Sequence, residues 1–321
     1  GESFVEPLKT VGRLAKMPVQ ARRGLAAAMG LMGEHRVQLL LEALGEKRVK
    51  DFWLLCARRG ELQIEEERAW DLARVDVVIE NGWLKIPGPT TFNYTATITV
   101  PGQTAVQQTV SHYHHTRWHK VMWWGTAPQT YVKFDTAYLQ STGAVPMYAK
   151  VTPSNTFLSS LQQSVAPMSN GPLTKNMPDT GAHDDIGPLP RWVTAYVLTG
   201  DERAFKATLA GDDAAGSYGV HYRDETTGKP TSIADYPNLT TQFDDLPSES
   251  GNNPNVHDAA HQPSIGFVSY LLTGDYYYLE EMQFWTSWNH LDANPLPPYG
   301  YRQGSKGIFG MQVRGQAWSL R

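Results

Sequence analysis

The chain is poor in the residues and motifs that most often announce a function. Cys56 is the only cysteine among 321 residues, which excludes an intrachain disulfide and any zinc site built on several thiolates. Basic residues are also in short supply: 28 Lys and Arg against 32 Asp and Glu give a net charge of -4, so there is no broad cationic field to hold nucleic acid. No apolar run reaches the roughly 18 residues of a membrane-spanning helix, and no membrane span is expected. Phosphate-binding loops, dinucleotide fingerprints, HExxH and GxSxG are all missing. GESFVEPLKT at the start lacks a basic region followed by an apolar core. If a secretion signal has been removed, a periplasmic or extracellular location is favoured.

What the chain does have is tryptophan and tyrosine, 10 and 15 residues against 10 Phe. Both combine a flat apolar face with a polar edge, which suits sugar rings as well as a bulky core. The patterning divides the chain into four zones. Residues 1–75 read as a helical segment, with Gly30, Gly33 and Gly45 at expected helix ends. Residues 76–150 form a β-rich module, in which Asn81-Gly82 predicts one hairpin and PGQ, between TFNYTATITV and TAVQQTV, a second. WHKVMWWG and TYVKFDTAYLQST continue the strand-like pattern. Residues 151–180, rich in Pro, Ser and Asn, read as a linker or loop, and residues 181–321 as helical hairpins.

The last zone contains a repeat. HDDIGPLPRWVTAYVLTGD at 183–201 aligns without a gap to HDAAHQPSIGFVSYLLTGD at 257–275, 74 positions further on. The His-Asp start, one Tyr and the Leu-Thr-Gly-Asp ending are identical in the two copies. Each copy predicts an apolar helix, a Gly in the left-handed C′ conformation and an Asp that caps a return helix. ERAFKATLAG and YYYLEEMQFWTSWNHL are the expected return helices, and VRGQAWSLR would open a third unit, in a chain expected to continue beyond it.

Helical hairpins with a Leu-Thr-Gly-Asp turn, His, Asp, Tyr and Trp at their mouths and a β-rich module before them resemble the (α/α) toroid proteins. That group is rich in glycoside hydrolases and polysaccharide lyases. The resemblance covers residues 180–321 and implies an α+β fold: N-terminal helices and a β-rich module, then part of a toroid. It implies degradation of an acidic polysaccharide at the toroid mouth, by β-elimination first and hydrolysis second, with a polysaccharide or oligosaccharide as partner. The rival from another class is a non-catalytic carbohydrate-binding or cell-surface structural protein.

Hydrolysis needs two carboxyl groups about the scissile bond, for which Asp184, Asp185 and Asp258 are candidates. β-Elimination needs a base, an acid and a group that neutralises the uronate, and His257, His261, His221, Tyr222, Tyr301, Arg223 and Arg314 carry suitable side chains. Gln262, Tyr299 and Trp318 complete the substrate-binding candidates, Trp318 sharing a helix face with Arg314 four residues before it. His-Asp pairs shared by both copies serve equally well as helix caps, whereas His261 and Gln262 face Gly187 and Pro188 in the other copy and are the better functional candidates. No cofactor is expected. In SHYHHTRWHK a divalent metal on His112 and His114, with His119 or Asp135, competes with a polar sheet face.

Overall fold

The computed structural model describes residues 73–85, 91–128, 131, 133–175, 183–241, 253–307 and 313–320. Two compact units divide the chain, residues 1–74 with 123–127, and residues 75–122 with 128–321. The second unit carries nearly all of the described residues. The helical reading of the N-terminal zone lies, up to residue 72, outside the described residues.

Helices and small antiparallel sheet elements together make a mixed α+β structure. β1 (Ala73–Asn81) pairs with β4 (Thr116–Trp124), and β2 (Phe92–Ile98) pairs with β3 (Val106–His112). The β2–β3 pair is the hairpin predicted about PGQ, antiparallel with Phe92 opposite His112 and Ile98 opposite Val106. Its alternation buries Val110 and His112 on one face and exposes Thr109 and Ser111 on the other.

Two expectations are corrected. Asn81-Gly82 is not a hairpin turn, because β1 takes β4 as partner and the chain after Gly82 runs beside Arg223. The Gly82 carbonyl accepts from Arg223 N at 2.7 Å, and Leu84 N donates to the Arg223 carbonyl at 2.9 Å. TYVKFDTAYLQST is not a strand at its end: Asp135 accepts from Tyr138 N and caps helix α1 (Thr136–Ser141). The cap outweighs the β-tendency of Thr and Tyr. A second short helix, α2 (Asn155–Ser160), interrupts the 151–180 connector and is capped by Ser154.

The repeat gives two helical hairpins. α3 (Arg191–Thr199) leads through Gly200 to α4 (Glu202–Ala214), and α5 (Phe267–Thr273) leads through Gly274 to α6 (Tyr276–Asp292). Gly200 and Gly274 have φ of 60° and 70°, and each N–H closes on the Tyr carbonyl four residues back. The two capping aspartates differ, since Asp201 accepts from Arg203 N but Asp275 makes no side-chain cap. Gly211 sets the approach of α3 and α4, because a Cβ there would come within 2.6 Å of the Trp192 indole nitrogen. Trp192, Tyr196, Val197, Ala204, Ala207, Tyr218, Trp285, Trp288 and Leu291 form the core between the hairpins. Helix α7 (Val313–Ser319) lies near the α5 approach, Gly315 facing Ala259. Among the described residues no helix is long and apolar enough to cross a membrane.

Candidate functional site

Two clusters of histidine, carboxylate and aromatic side chains stand out. The first is a buried knot joining β1, β4, the 218–224 segment and α6. Arg117, fully buried, donates from Nε to Glu281 at 2.5 Å, from Nη1 to Glu280 at 2.5 Å and from Nη2 to the Tyr277 carbonyl at 2.6 Å. Its guanidinium also lies over the rings of Tyr277 and Phe284. Arg223 forks onto Glu80 at 2.5 and 2.7 Å and reaches Glu280 at 3.0 Å. His221 places Nε2 against both Glu281 oxygens, at 3.0 and 3.1 Å, and Nδ1 against the carbonyls of His115 and Tyr218. Burial opposes ionisation of Glu281, but the charges of His221 and Arg117 overcome it and hold the carboxyl at about 2.

This knot absorbs three of the site residues expected from the sequence. His221 and Arg223 have their polar atoms committed to the carboxylates just named, and Tyr222 packs its ring 4.2 Å from that of His115. The metal reading of the adjacent strand meets the same obstacle. His112 bonds to Tyr94 Oη and the Thr116 carbonyl, and His119 is held between Asp76 at 2.8 Å and Asp213 at 3.2 Å. Among the described residues no three His, Cys, Asp or Glu side chains form a group able to hold a metal ion.

The second cluster sits at the approach to α5. Asp258 accepts from Ala260 N at 2.7 Å with one oxygen and pairs with His261 Nδ1 at 2.8 Å with the other. The turn bond fixes the carboxylate, and the carboxylate fixes the imidazole so that Nε2 points away. That Nε2 is buried and has no hydrogen-bond partner. A small cavity there is lined by Thr174, Asp185, Tyr218, Asp258, His261 and Trp285. It shares Gln262, Pro263 and Trp285 with a cleft of about 170 Å³ that Asn289 and Trp318 also line. Trp285 Nε1 and Asn289 Oδ1 are likewise buried and unpartnered. Unsatisfied buried polar atoms are costly; the first cavity, about 10 Å³, has room for about one water beside His261, and the second, with Trp285 and Asn289 in its lining, has room for a larger polar group.

Tyr218 stands edge-on to Trp285, ring centres 5.0 Å apart, and is buried. Burial, reinforced by the Asp185 carboxylate, raises its phenol well above the usual range, so it stays protonated. Asp185 is buried with both oxygens engaged, Oδ2 by Thr174 N at 2.8 Å and Oδ1 by the Thr174 hydroxyl at 3.1 Å. Gln262 donates to the Trp318 carbonyl at 3.2 Å, which ties α7 to the site.

The structure therefore gathers His261, Gln262, Asp185 and Trp318 about adjoining cavities. It sends the other expected residues elsewhere. His257 tilts over Trp288 at 4.5 Å, and Asp184 makes an exposed pair with Arg191 at 3.0 Å. Arg314 is exposed on α7, and Tyr299 and Tyr301 pack against each other at 5.7 Å in the loop after α6. Sequence reasoning missed Tyr218 and the role of Asp258 as partner of His261. The three-residue spacing from Asp258 to His261 was a usable signal, whereas nothing local distinguishes Tyr218 from the other tyrosines. Comparison of the chain with family models, curated proteins and solved structures gives no match.

Proposed function

We propose that the protein degrades an acidic polysaccharide by β-elimination at the His261 site. The observation that carries this reading is the Asp258–His261 pair, whose buried Nε2 is unpartnered and lines the same small cavity as the buried, protonated Tyr218. In this scheme His261 Nε2 removes the C5 proton of a uronate residue, and the electron pair enters the carboxylate-stabilised carbanion. As the C4–O4 bond breaks, Tyr218 Oη–H delivers a proton to the leaving oxygen and a C4=C5 double bond remains. Gln262, its amide donating to the Trp318 carbonyl, lines the adjoining cleft with Trp285 and Trp318, whose indoles would meet the pyranose.

Elimination is preferred to hydrolysis because the carboxylates here are engaged. Asp185 is occupied by Thr174, and Asp258 by Ala260 N and His261. Neither resembles the acid and base pair that hydrolysis needs. One observation favours the non-catalytic rival: Arg223, the cation expected to neutralise the uronate, is committed to Glu80 and Glu280. A glycan-binding protein would not require that cation beside a base. The deciding experiment incubates the protein with galacturonan, alginate and hyaluronan and follows the ultraviolet absorbance of unsaturated ends. Absorbance that grows with time supports elimination. New reducing ends without absorbance would replace it by hydrolysis, and neither product would leave glycan binding alone.

A further inference from the structure

A second cleft along α6 encloses about 770 Å³, within the roughly 300–1,000 Å³ common for ligand sites; it shares Met282 and Thr286 with the smaller cleft beside Trp318 and does not include His261. One wall is the outer stripe of α6. Tyr276, Leu279, Gln283, Thr286 and His290 succeed one another by three and four residues and so share a face. The other wall is the 228–233 segment, with Lys229, Ser232 and Ile233 turned to the cleft.

This second wall is held firmly. Ser287 donates to the Thr231 carbonyl at 2.6 Å, the Thr231 hydroxyl to the Tyr222 carbonyl at 2.9 Å, and Arg223 Nη1 to the Gly228 carbonyl at 2.8 Å. Asp224, buried at the base of the turn, accepts from Thr226 N, the Thr227 hydroxyl and Tyr236 Oη. The opening is thus shaped before any ligand arrives, which lowers the ordering cost of binding.

The lining has a distinct chemistry. Tyr276 is 64% exposed and offers an aromatic face at one end of the stripe. Gln283, Thr286, Ser232 and His290 supply hydrogen-bonding groups, and His290 Nδ1–H donates to the Thr286 carbonyl at 2.7 Å, which leaves Nε2 as an acceptor. Glu280, the acid of the lining, is neutralised by Arg117 and Arg223. Lys229 is exposed and has no carboxylate partner among the described residues, so the cleft presents an uncompensated positive charge. A docked helix would need a continuous apolar stripe, and of the five stripe positions only Leu279 is aliphatic.

We infer that this cleft is a second binding site, for an acidic oligosaccharide, with Tyr276 stacking a pyranose ring, Gln283, Thr286 and His290 meeting hydroxyls, and Lys229 meeting a carboxylate. The inference goes beyond the proposed chemistry, because it requires binding and no reaction. The test titrates the full chain calorimetrically with hexasaccharides of galacturonate, mannuronate and hyaluronan, and with the uncharged maltohexaose and cellohexaose. At least one acidic chain should bind about tenfold or more tighter than the neutral ones, the usual weight of a charged hydrogen bond. Lys229→Glu should remove that preference, Tyr276→Ala should weaken every ligand that binds, and His261→Gln should change neither. Equal affinity for acidic and neutral chains, no binding at all, or binding indifferent to both Lys229→Glu and Tyr276→Ala would overturn the inference. So would self-association in sedimentation that Gln283→Arg abolishes, since the face would then belong to a second copy. Loss of activity in His261→Gln with oligosaccharide binding retained separates this site from the catalytic reading.

Discussion

The Arg117 knot and the Asp258–His261 pair are built from the same kinds of residue, yet they end differently. In the knot each His221 nitrogen faces an oxygen, and three carboxylates close on two guanidinium groups. At the other centre the chain of bonds stops at His261 Nε2, with Trp285 Nε1 and Asn289 Oδ1 also unpartnered. A closed network of buried charges fixes neighbouring elements, whereas the chain of bonds through Asp258 ends at His261 Nε2. Both ring nitrogens of His115, packed against Tyr222 beside the knot, and the Tyr277 hydroxyl within it are buried and unpartnered as well, so an unpartnered atom alone does not separate the two regions; the His261 centre differs in lining a cavity.

The largest expected effect falls on the knot. Arg117→Met would leave buried Glu281 with His221 alone and Glu280 with Arg223 alone, and should cost about 3–5 kcal/mol in urea denaturation. His261→Gln should change stability by no more than about 0.5 kcal/mol, because a single pair with a half-exposed aspartate is removed. Equal losses in the two variants would erase the distinction. Next comes Tyr218→Phe, which keeps the ring against Trp285 and removes only the hydroxyl. Turnover of an accepted polysaccharide should fall by about 10²-fold or more with an unchanged melting curve; full activity would deny Tyr218 its role as acid.

A smaller effect concerns pH. Burial opposes protonation of His119, but its bonds to Asp213 and Asp76 win and raise it to about 9. A raised folded pKa gives stability that is complete below the unfolded value of about 6.5 and is lost as pH rises through about 9. Glu281 acts in the opposite direction at the acid end. Its carboxyl is depressed to about 2, so its contribution is present above about 4.5 and lost as pH falls toward 2. Melting temperatures across both windows should therefore fall at each end. His119→Gln should flatten the alkaline limb and leave the acid limb intact, and an unchanged alkaline limb would assign it to other groups.

Features carried by local chemistry were legible in the sequence. Gly200 and Gly274 end their helices in the left-handed conformation, and PGQ turns β2 into β3. Comparing the two repeat copies singled out His261 and Gln262, which line the cavities, although the same comparison set aside Asp258 as a shared cap. Asp258 caps no helix, since α5 begins at Phe267 after Gly266 with no side-chain cap; it closes a turn on Ala260 N with one oxygen and pairs with His261 with the other. The knot was not legible, because Glu80, Arg117, His221, Arg223, Glu280 and Glu281 come from four distant segments and meet only in the folded chain. For the same reason the sequence does not show that His221 and Arg223, which look catalytic as a pattern beside Tyr222, bond to Glu281, Glu80 and Glu280. Asn81-Gly82 misled because a turn-forming pair specifies a turn only when the flanking runs have no better partner, and β4 is the better partner for β1.

The most direct measurement compares wild type with His261→Gln on whichever of galacturonan, alginate or hyaluronan is accepted, tracking unsaturated product at matched melting temperature. The expected result is steady ultraviolet absorbance from the wild type and essentially none from the variant. Product formed by the variant at the wild-type rate would contradict the assignment of His261 Nε2 as the base.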